Sequence, residues 1–348
     1  IYLYINMNNN TMEYQYREEI PMGIINIPIG IDGINMSILG LMSIIYPIIY
    51  WIIPNNSKTK EEERRIYNKI NISYSILIIL FLLIDILYFY ILYELILIPL
   101  YLLIGIYGSE NKRIEAAYRF IIYTIIGSLL LGIGIIYLYI INGSTNIEYI
   151  VYNNNMGRIG KIIWILLTIT FYIKLPMFPF HIWLPIVHVE SPTIGSILLA
   201  GIILKIATYG IIRYNLPIFK EENSYYMPII IILILLSIYY SSIININQID
   251  LKKIIAYSSI IHMNFSLYGL YSNDLNGIYG SLYSNISHGI VSSALFYMIG
   301  ILYIRYHSRI ITYYSGLLSI MPIFSFYLII FILHNIAIPF SSSFISEI

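Results

Sequence analysis

The chain contains no cysteine, which excludes disulfides, thiolate metal sites and cysteine-ligated iron–sulfur clusters. Charge is almost as scarce: 11% of the 348 residues are charged, where a soluble domain carries about a quarter. The net formal charge of +1 and the lack of any basic stripe exclude nucleic acid as a partner. Phosphate loops, dinucleotide glycine patterns and His/Glu sets at metal-ligand spacing are missing, so the sequence offers no metal site. The opening stretch, Ile1 to Glu19, is polar and carries Glu13, Arg17, Glu18 and Glu19. It is neither a secretory signal nor an arginine-rich transit peptide, which fits synthesis inside the compartment of use. What is abundant is apolar surface, at 59% hydrophobic residues and 37 tyrosines. Ile, Leu, Tyr and Asn dominate and alanine is scarce, as in AT-rich organelle coding. The chain reads as an integral membrane protein.

A spanning helix needs about 20 apolar residues. That rule predicts an all-α, polytopic bundle of about ten transmembrane helices, near 33–53, 70–85, 86–107, 116–141, 159–180, 192–214, 226–247, 250–271, 277–304 and 317–339. Residues 1–30 form an N-terminal polar segment and 31–348 the transmembrane domain. Asp85 marks a tight turn within one long apolar run. Asp32, Asp250 and Ser191-Pro192 carry helix-start chemistry. Pro176 and Pro179 each remove an amide donor and push away a carbonyl four residues back, which predicts a broken helix beside Lys174. Pro339 predicts a second break, followed by Glu347. With alternating spans, Lys58, Lys60, Arg64, Arg65, Lys69, Lys112, Arg113, Arg119, Lys252, Lys253, Arg305 and Arg309 fall on one side. Arg17, Arg158, Lys161, Arg213 and Lys220 fall on the other. The positive-inside rule places the first group inward and both termini on the opposite face.

Three ionisable groups lie within the apolar spans: Glu94, Lys174 and Lys205. Each costs roughly 3 kcal/mol at mid-bilayer on insertion scales, so charge is expected to move there. Glu94 is either a protonated carboxyl bonded to a tyrosine or a carboxylate paired with a lysine on another helix. At about 6 Å and an effective dielectric of ~20 such a pair attracts by about 3 kcal/mol, enough for one partner's departure to switch the other's proton. Lys174, near a helix end, could snorkel to the interface; Lys205, centred in its span, has no short way out. Among the histidines, His288, in Ser287-His288-Gly289, is the leading relay candidate. His181 and His262 are secondary candidates, and a buried interhelical contact accounts for either one equally well. His188 alone is a weak signal. His307 and His334 read as structural.

The block from Lys174 through Leu-Pro-Met-Phe-Pro-Phe-His181 and His188-Val-Glu-Ser-Pro192 to Lys205 resembles the antiporter-like membrane subunits of respiratory complex I. Within that set it is most similar to the chain 4 branch of mitochondrial NADH–ubiquinone oxidoreductase. Gly30-Ile-Asp-Gly-Ile34, Tyr93-Glu94, the run from Asp250 to Met263, Ser287-His-Gly289, His307-Ser-Arg309 and Phe344-Ile-Ser-Glu347 extend the likeness over nearly the whole chain. The resemblance implies inverted five-helix repeats, the first near 70–214 and the second near 226–348, incomplete at its C-terminal end. It implies proton translocation driven by NADH:ubiquinone oxidoreduction in other subunits, with Glu94, Lys174, Lys205, His288 and Glu347 as relay groups. No cofactor is expected on this chain; FMN, iron–sulfur clusters and ubiquinone are expected elsewhere. Expected partners are chain 5-like and chain 2-like antiporter subunits, lipids, and a separate polypeptide supplying further C-terminal helices, since the chain reads as a shortened or split form. The expected location is the mitochondrial inner membrane. Two other functions remain open from the residues: the large subunit of a multisubunit cation/proton antiporter, or a structural membrane subunit with inert charges.

Overall fold

The computed structural model describes residues 14–22, 25–56, 59–108, 112–153, 157–272 and 274–348. Glu13, Lys58 and the Arg158 side chain lie outside that set. The first described element is a hairpin of β1 (Gln15–Met22) and β2 (Ile25–Ile31), paired antiparallel. Reading the N-terminus only as a polar segment missed it. The signal was the strict alternation Ile25-Asn-Ile-Pro-Ile-Gly-Ile31, a period-2 pattern.

All ten expected spans are helical. They are α1 (Gly33–Asn56), α2 (Lys60–Leu82), α3 (Ile86–Leu95) continued by α4 (Leu97–Tyr107), and α5 (Arg113–Asn142). A short α6 (Ile147–Tyr152) leads to α7 (Gly157–Lys174) and then to α8 (Trp183–Glu190). The sixth span comprises α9 (Thr193–Leu198), a wide π turn (Leu199–Ile203), α10 (Leu204–Gly210), a second π turn (Ile211–Asn215) and α11 (Leu216–Ile218). There follow α12 (Lys220–Ile246), α13 (Leu251–Leu270), α14 (Leu275–Tyr306), α15 (Leu317–Ile320), α16 (Pro322–Asn335) and α17 (Ser342–Glu347). Among the described residues, seven spans are long and apolar enough to cross a membrane. Of the rest, α7 is cut short by its prolines, α13 carries Lys252, Lys253, His262 and Asn264, and α16 has only 14 residues.

The start signals work as their chemistry dictates. Asp32 accepts from the Asn35 amide while Asn35 Oδ1 accepts from the Asp32 amide, a reciprocal cap on α1. Asp85 caps α3 through the Leu87 amide at 2.8 Å and also accepts from Thr145, which fixes the tight turn from α2. Asp250 caps α13 through the Lys252 amide. Pro99 accounts for the interruption between α3 and α4: its ring displaces the Leu95 carbonyl, and the helix resets at Ile96, two residues after Glu94.

Both breaks form. After Lys174 the chain leaves the helix, and its freed backbone groups find partners inside the protein. Trp183 Nε1 donates to the Ile173 carbonyl at 3.0 Å, Met177 N to the Tyr172 carbonyl at 3.1 Å, and Phe178 N to Ser237 Oγ at 3.3 Å. That is the condition for irregular backbone at membrane depth. The second break lies between α16 and α17, where Ala337 and Phe340 take positive φ and Ser341 caps α17.

The sixth span is the axis of the bundle, and its whole apolar window is buried. In contrast, α12 leaves most of its side chains exposed, as a lipid-facing helix does. At one end of the bundle Glu62, Arg113, Lys252, His307 and Arg309 converge on a cavity of ≈ 500 Å³. At the other end the hairpin meets the α2–α3 and α5–α6 turns: Ile29 pairs with Leu83, Asp85 with Asn146, and Arg17 forms an ion pair with Glu148. The two ends match the two charge groups read from the loops. The inward group is less exposed than loop charges should be, however: Lys252 and Arg309 are buried, at 2% and 5% exposure.

Candidate functional site: a buried file of titratable side chains

Lys205 leaves α10 just after the π turn and is fully buried. Its ammonium donates to the Ala200 carbonyl at 2.5 Å and lies 2.8 Å from His288 Nδ1 on α14. This contact depends on two glycines at the crossing. A Cβ on Gly289 would sit 2.7 Å from Leu41 and 3.1 Å from the Gly201 carbonyl; one on Gly201 would sit 2.7 Å from Ser293 Oγ. At Gly289 a tight neighbour is backbone, the Gly201 carbonyl, so a side chain there would press the two helices apart.

The file continues beyond His288. Its ring lies 5.9 Å from that of His262 on α13. His262 Nδ1 in turn lies 3.0 Å from Glu347 Oε1 on α17. The last three groups line a small polar cavity together with Ser284, Ser287, His334 and Ser343. Its ≈ 10 Å³ is about the room one water centre needs. His288 Nε2 has no hydrogen-bond partner among the described residues.

Lys174 ends α7 beside the break, buried to 1% exposure. Its ammonium lies over the Tyr93 ring, 3.5 Å from the centroid, and has no hydrogen-bond partner among the described residues. Burial this deep rules out snorkelling. Glu94 is the next residue along α3, yet it is not in ion-pair contact with Lys174; its Oε1 accepts from Tyr90 at 2.8 Å. Of the two arrangements open to Glu94, the tyrosine bond is therefore the one adopted, and the aromatic ring of Tyr93 takes the place of the lysine's counter-ion.

The other histidines separate clearly. His181 packs against Phe178 and Tyr240. Among the described residues, nothing joins it to the Lys205–His288 group. His262, only a secondary candidate from sequence, stands in the middle of the file. His334, read as structural, lines the small cavity, and His307 lines the large one. His188 is fully buried, stacked on Phe296 at 4.6 Å, with neither ring nitrogen hydrogen-bonded among the described residues. Its carbonyl accepts from Ser191 and Ser196, whose hydroxyls meet at 2.7 Å. Lys252 donates to the Ser191 carbonyl at 2.8 Å and also lines the large cavity. Polar contacts thus run from that cavity to the His188 backbone carbonyl, not to its ring. Sequence reading missed them because Lys252, in the first turn of α13, looks like an ordinary loop charge. Among the described residues, no cluster of three or more His, Cys, Asp or Glu could hold a metal.

Residues 84–348 match the family profile described as NADH:quinone oxidoreductase/Mrp antiporter, TM. The chain is 42% identical over 350 aligned residues to the NADH-ubiquinone oxidoreductase chain 4 of Marchantia polymorpha, covering all of this chain and 70% of that one. It is 45% identical over 324 residues to the chain 4 of Acanthamoeba castellanii, covering 92% of this chain and 64% of that one. In fold it is similar to a chain of respiratory complex I from Thermus thermophilus, with a TM-score of 0.88, 24% identity, and coverage of 95% of this chain and 70% of that one. A profile match over most of the chain and identities above 40% to named relatives lead to one assignment: the chain belongs to the NADH-ubiquinone oxidoreductase chain 4 family of antiporter-like membrane proteins.

Proposed function

We propose that the protein carries protons across the mitochondrial inner membrane through the groups Glu94, Lys174, Lys205, His288 and Glu347, with His262 as an added link. As a chain 4 family member it is a proton-pumping, antiporter-like subunit of respiratory complex I, the NADH:ubiquinone oxidoreductase. Flavin, iron–sulfur clusters and ubiquinone act in other subunits, and this chain does no redox chemistry of its own. Neighbouring chain 5-like and chain 2-like subunits flank it. Further helices pack beside Ile338–Ile348, where Phe340 and Ile345 are exposed and Glu347 is partly so.

The observation that supports this reading is the close succession of Lys205, His288, His262 and Glu347: 2.8 Å from Lys205 to His288, 5.9 Å between the two imidazole rings, and 3.0 Å from His262 to Glu347. A lysine, two histidines and a carboxyl in sequence can each give a proton to the next, because imidazole both donates and accepts. Inert structural charges would instead be paired off singly or turned to the interface. The large cavity provides access from the inward face, and Lys174 over the Tyr93 ring, with Glu94 the next residue of α3, forms a second titratable group.

The test is proton translocation by the intact complex in sealed vesicles. Lys205→Ala and Glu94→Gln are expected to lower the protons moved per NADH oxidised while leaving assembly largely intact. Normal stoichiometry in both variants would remove the relay assignment.

A further inference from the structure

We propose that Arg213, clamped by Asp32 and the N-terminal hairpin, is a proton seal that closes the outer end of the Lys205 helix and forces protons sideways through His288. The inference rests on the relay reading of Lys205 given above. Arg213 lies eight residues beyond Lys205 on the same span, roughly 12 Å along the axis at 1.5 Å per residue. It is buried at 8% exposure, in the second π turn. Its guanidinium lies 2.6 Å from the Asp32 carboxylate. Tyr14 covers it at 4.8 Å and Tyr209 at 5.5 Å.

Several features close this end. Between Lys205 and Arg213, Tyr209 is fully buried; its hydroxyl donates to the Phe81 carbonyl at 3.0 Å, and its ring packs on Phe81 and Phe89. Phe89 also packs on Tyr214. The Tyr209 hydroxyl is taken up by the Phe81 carbonyl and by Arg213 Nε, which donates to it at 3.4 Å, whereas the Lys205 ammonium bonds to Ala200 and His288 and not to this layer. Arg213, held by Asp32, then adds a guanidinium that does not titrate in a protein, so it cannot pass a proton on. The hairpin locks the arginine: Asp32 follows β2 directly, Asn35 donates to the Gly30 carbonyl at 2.9 Å, and Ile84 N donates to the Pro28 carbonyl at 3.2 Å. A Cβ on Gly30 would meet Tyr14 and Ile84 at 3.0 Å, so the glycine is what lets Tyr14 close over the guanidinium. By contrast, the lateral way from Lys205 is a direct 2.8 Å contact with His288. Among the described residues, the direct side-chain contact from Lys205 leads toward Glu347.

The experiment uses the intact complex in sealed vesicles, with two readouts: protons moved per NADH oxidised, and decay of an imposed pH gradient with turnover inhibited. Arg213→Gln is expected to raise passive proton conductance several-fold and to lower the stoichiometry. Arg213→Lys, which keeps a positive charge but can release its proton when buried, is expected to recover only part of the seal. Asp32→Asn, which frees the arginine without removing it, is expected to give an intermediate leak and carries the test should Arg213→Gln not assemble. Adding Lys205→Ala to Arg213→Gln is expected to abolish the leak, because Lys205 feeds it. Assembled Arg213→Gln or Asp32→Asn complexes with normal conductance would overturn the seal. A leak that survives Lys205→Ala would overturn its placement on the Lys205 path. Failure of the relay itself would appear separately, as normal pumping in Lys205→Ala alone.

Discussion

At the scale of single residues, the decisive point is how each buried cation is held. Lys174 rests on a ring face, and a desolvated cation–π contact contributes about 2 kcal/mol. Tyr93→Leu should therefore weaken the hold on the ammonium and lower proton pumping, whereas Tyr93→Phe, which keeps the ring, should leave it near normal; protons moved per NADH oxidised distinguish the two. Lys174→Arg keeps a charge that does not readily lose its proton. It should impair pumping, and normal pumping there would mean that Lys174 need not titrate. The sequence made Glu94, Lys174, Lys205 and His288 legible because a charge or imidazole deep in an apolar run is conspicuous. It did not make their partners legible. Tyr93 is one of 37 tyrosines, and nothing in its neighbours marks it as a cation's seat. Likewise, the choice of Glu94 between a lysine and Tyr90 depends on helix rotation, which no local pattern specifies.

At the scale of elements, breaks and crossings do the positioning. Proline chemistry placed both breaks from sequence, but the group that heals the first is a tertiary contact, the Trp183 indole on the Ile173 carbonyl. Trp183→Phe leaves that carbonyl unsatisfied, at a cost of about 1–3 kcal/mol, and should lower the yield or thermal tolerance of assembled complex. The π turn before Lys205 and the Gly201–Gly289 crossing had no sequence signature beyond isolated glycines. Gly289→Ala forces atoms into the crossing, an overpacking worth about 1–3 kcal/mol. It should separate Lys205 from His288 and reduce pumping. Gly40→Ala, where an added Cβ meets nothing within 4 Å, is the matched control and should behave as unmodified protein. The hairpin was missed for a different reason: its alternation is plain, but seven residues with a proline and a glycine among them look like a loop beside spans three times as long.

At the scale of the whole molecule, the fully buried sixth span is the axis around which the rest is arranged. A wide, cationic, hydrated-size cavity opens at one end and an aromatic and arginine cap closes the other. The file from Lys205 to Glu347 leaves sideways, toward α17 and whatever packs beside it. In the proposed relay, intake, transfer and exit fall on different elements. The most direct measurement is infrared difference spectroscopy of the intact complex on adding NADH, in the protonated-carboxyl region. The account predicts a band assignable to Glu347, absent in Glu347→Gln, that also vanishes in Lys205→Ala. A Glu347 band that persists unchanged in fully assembled Lys205→Ala complex would show that no proton passes between the two ends of the file, and would contradict it.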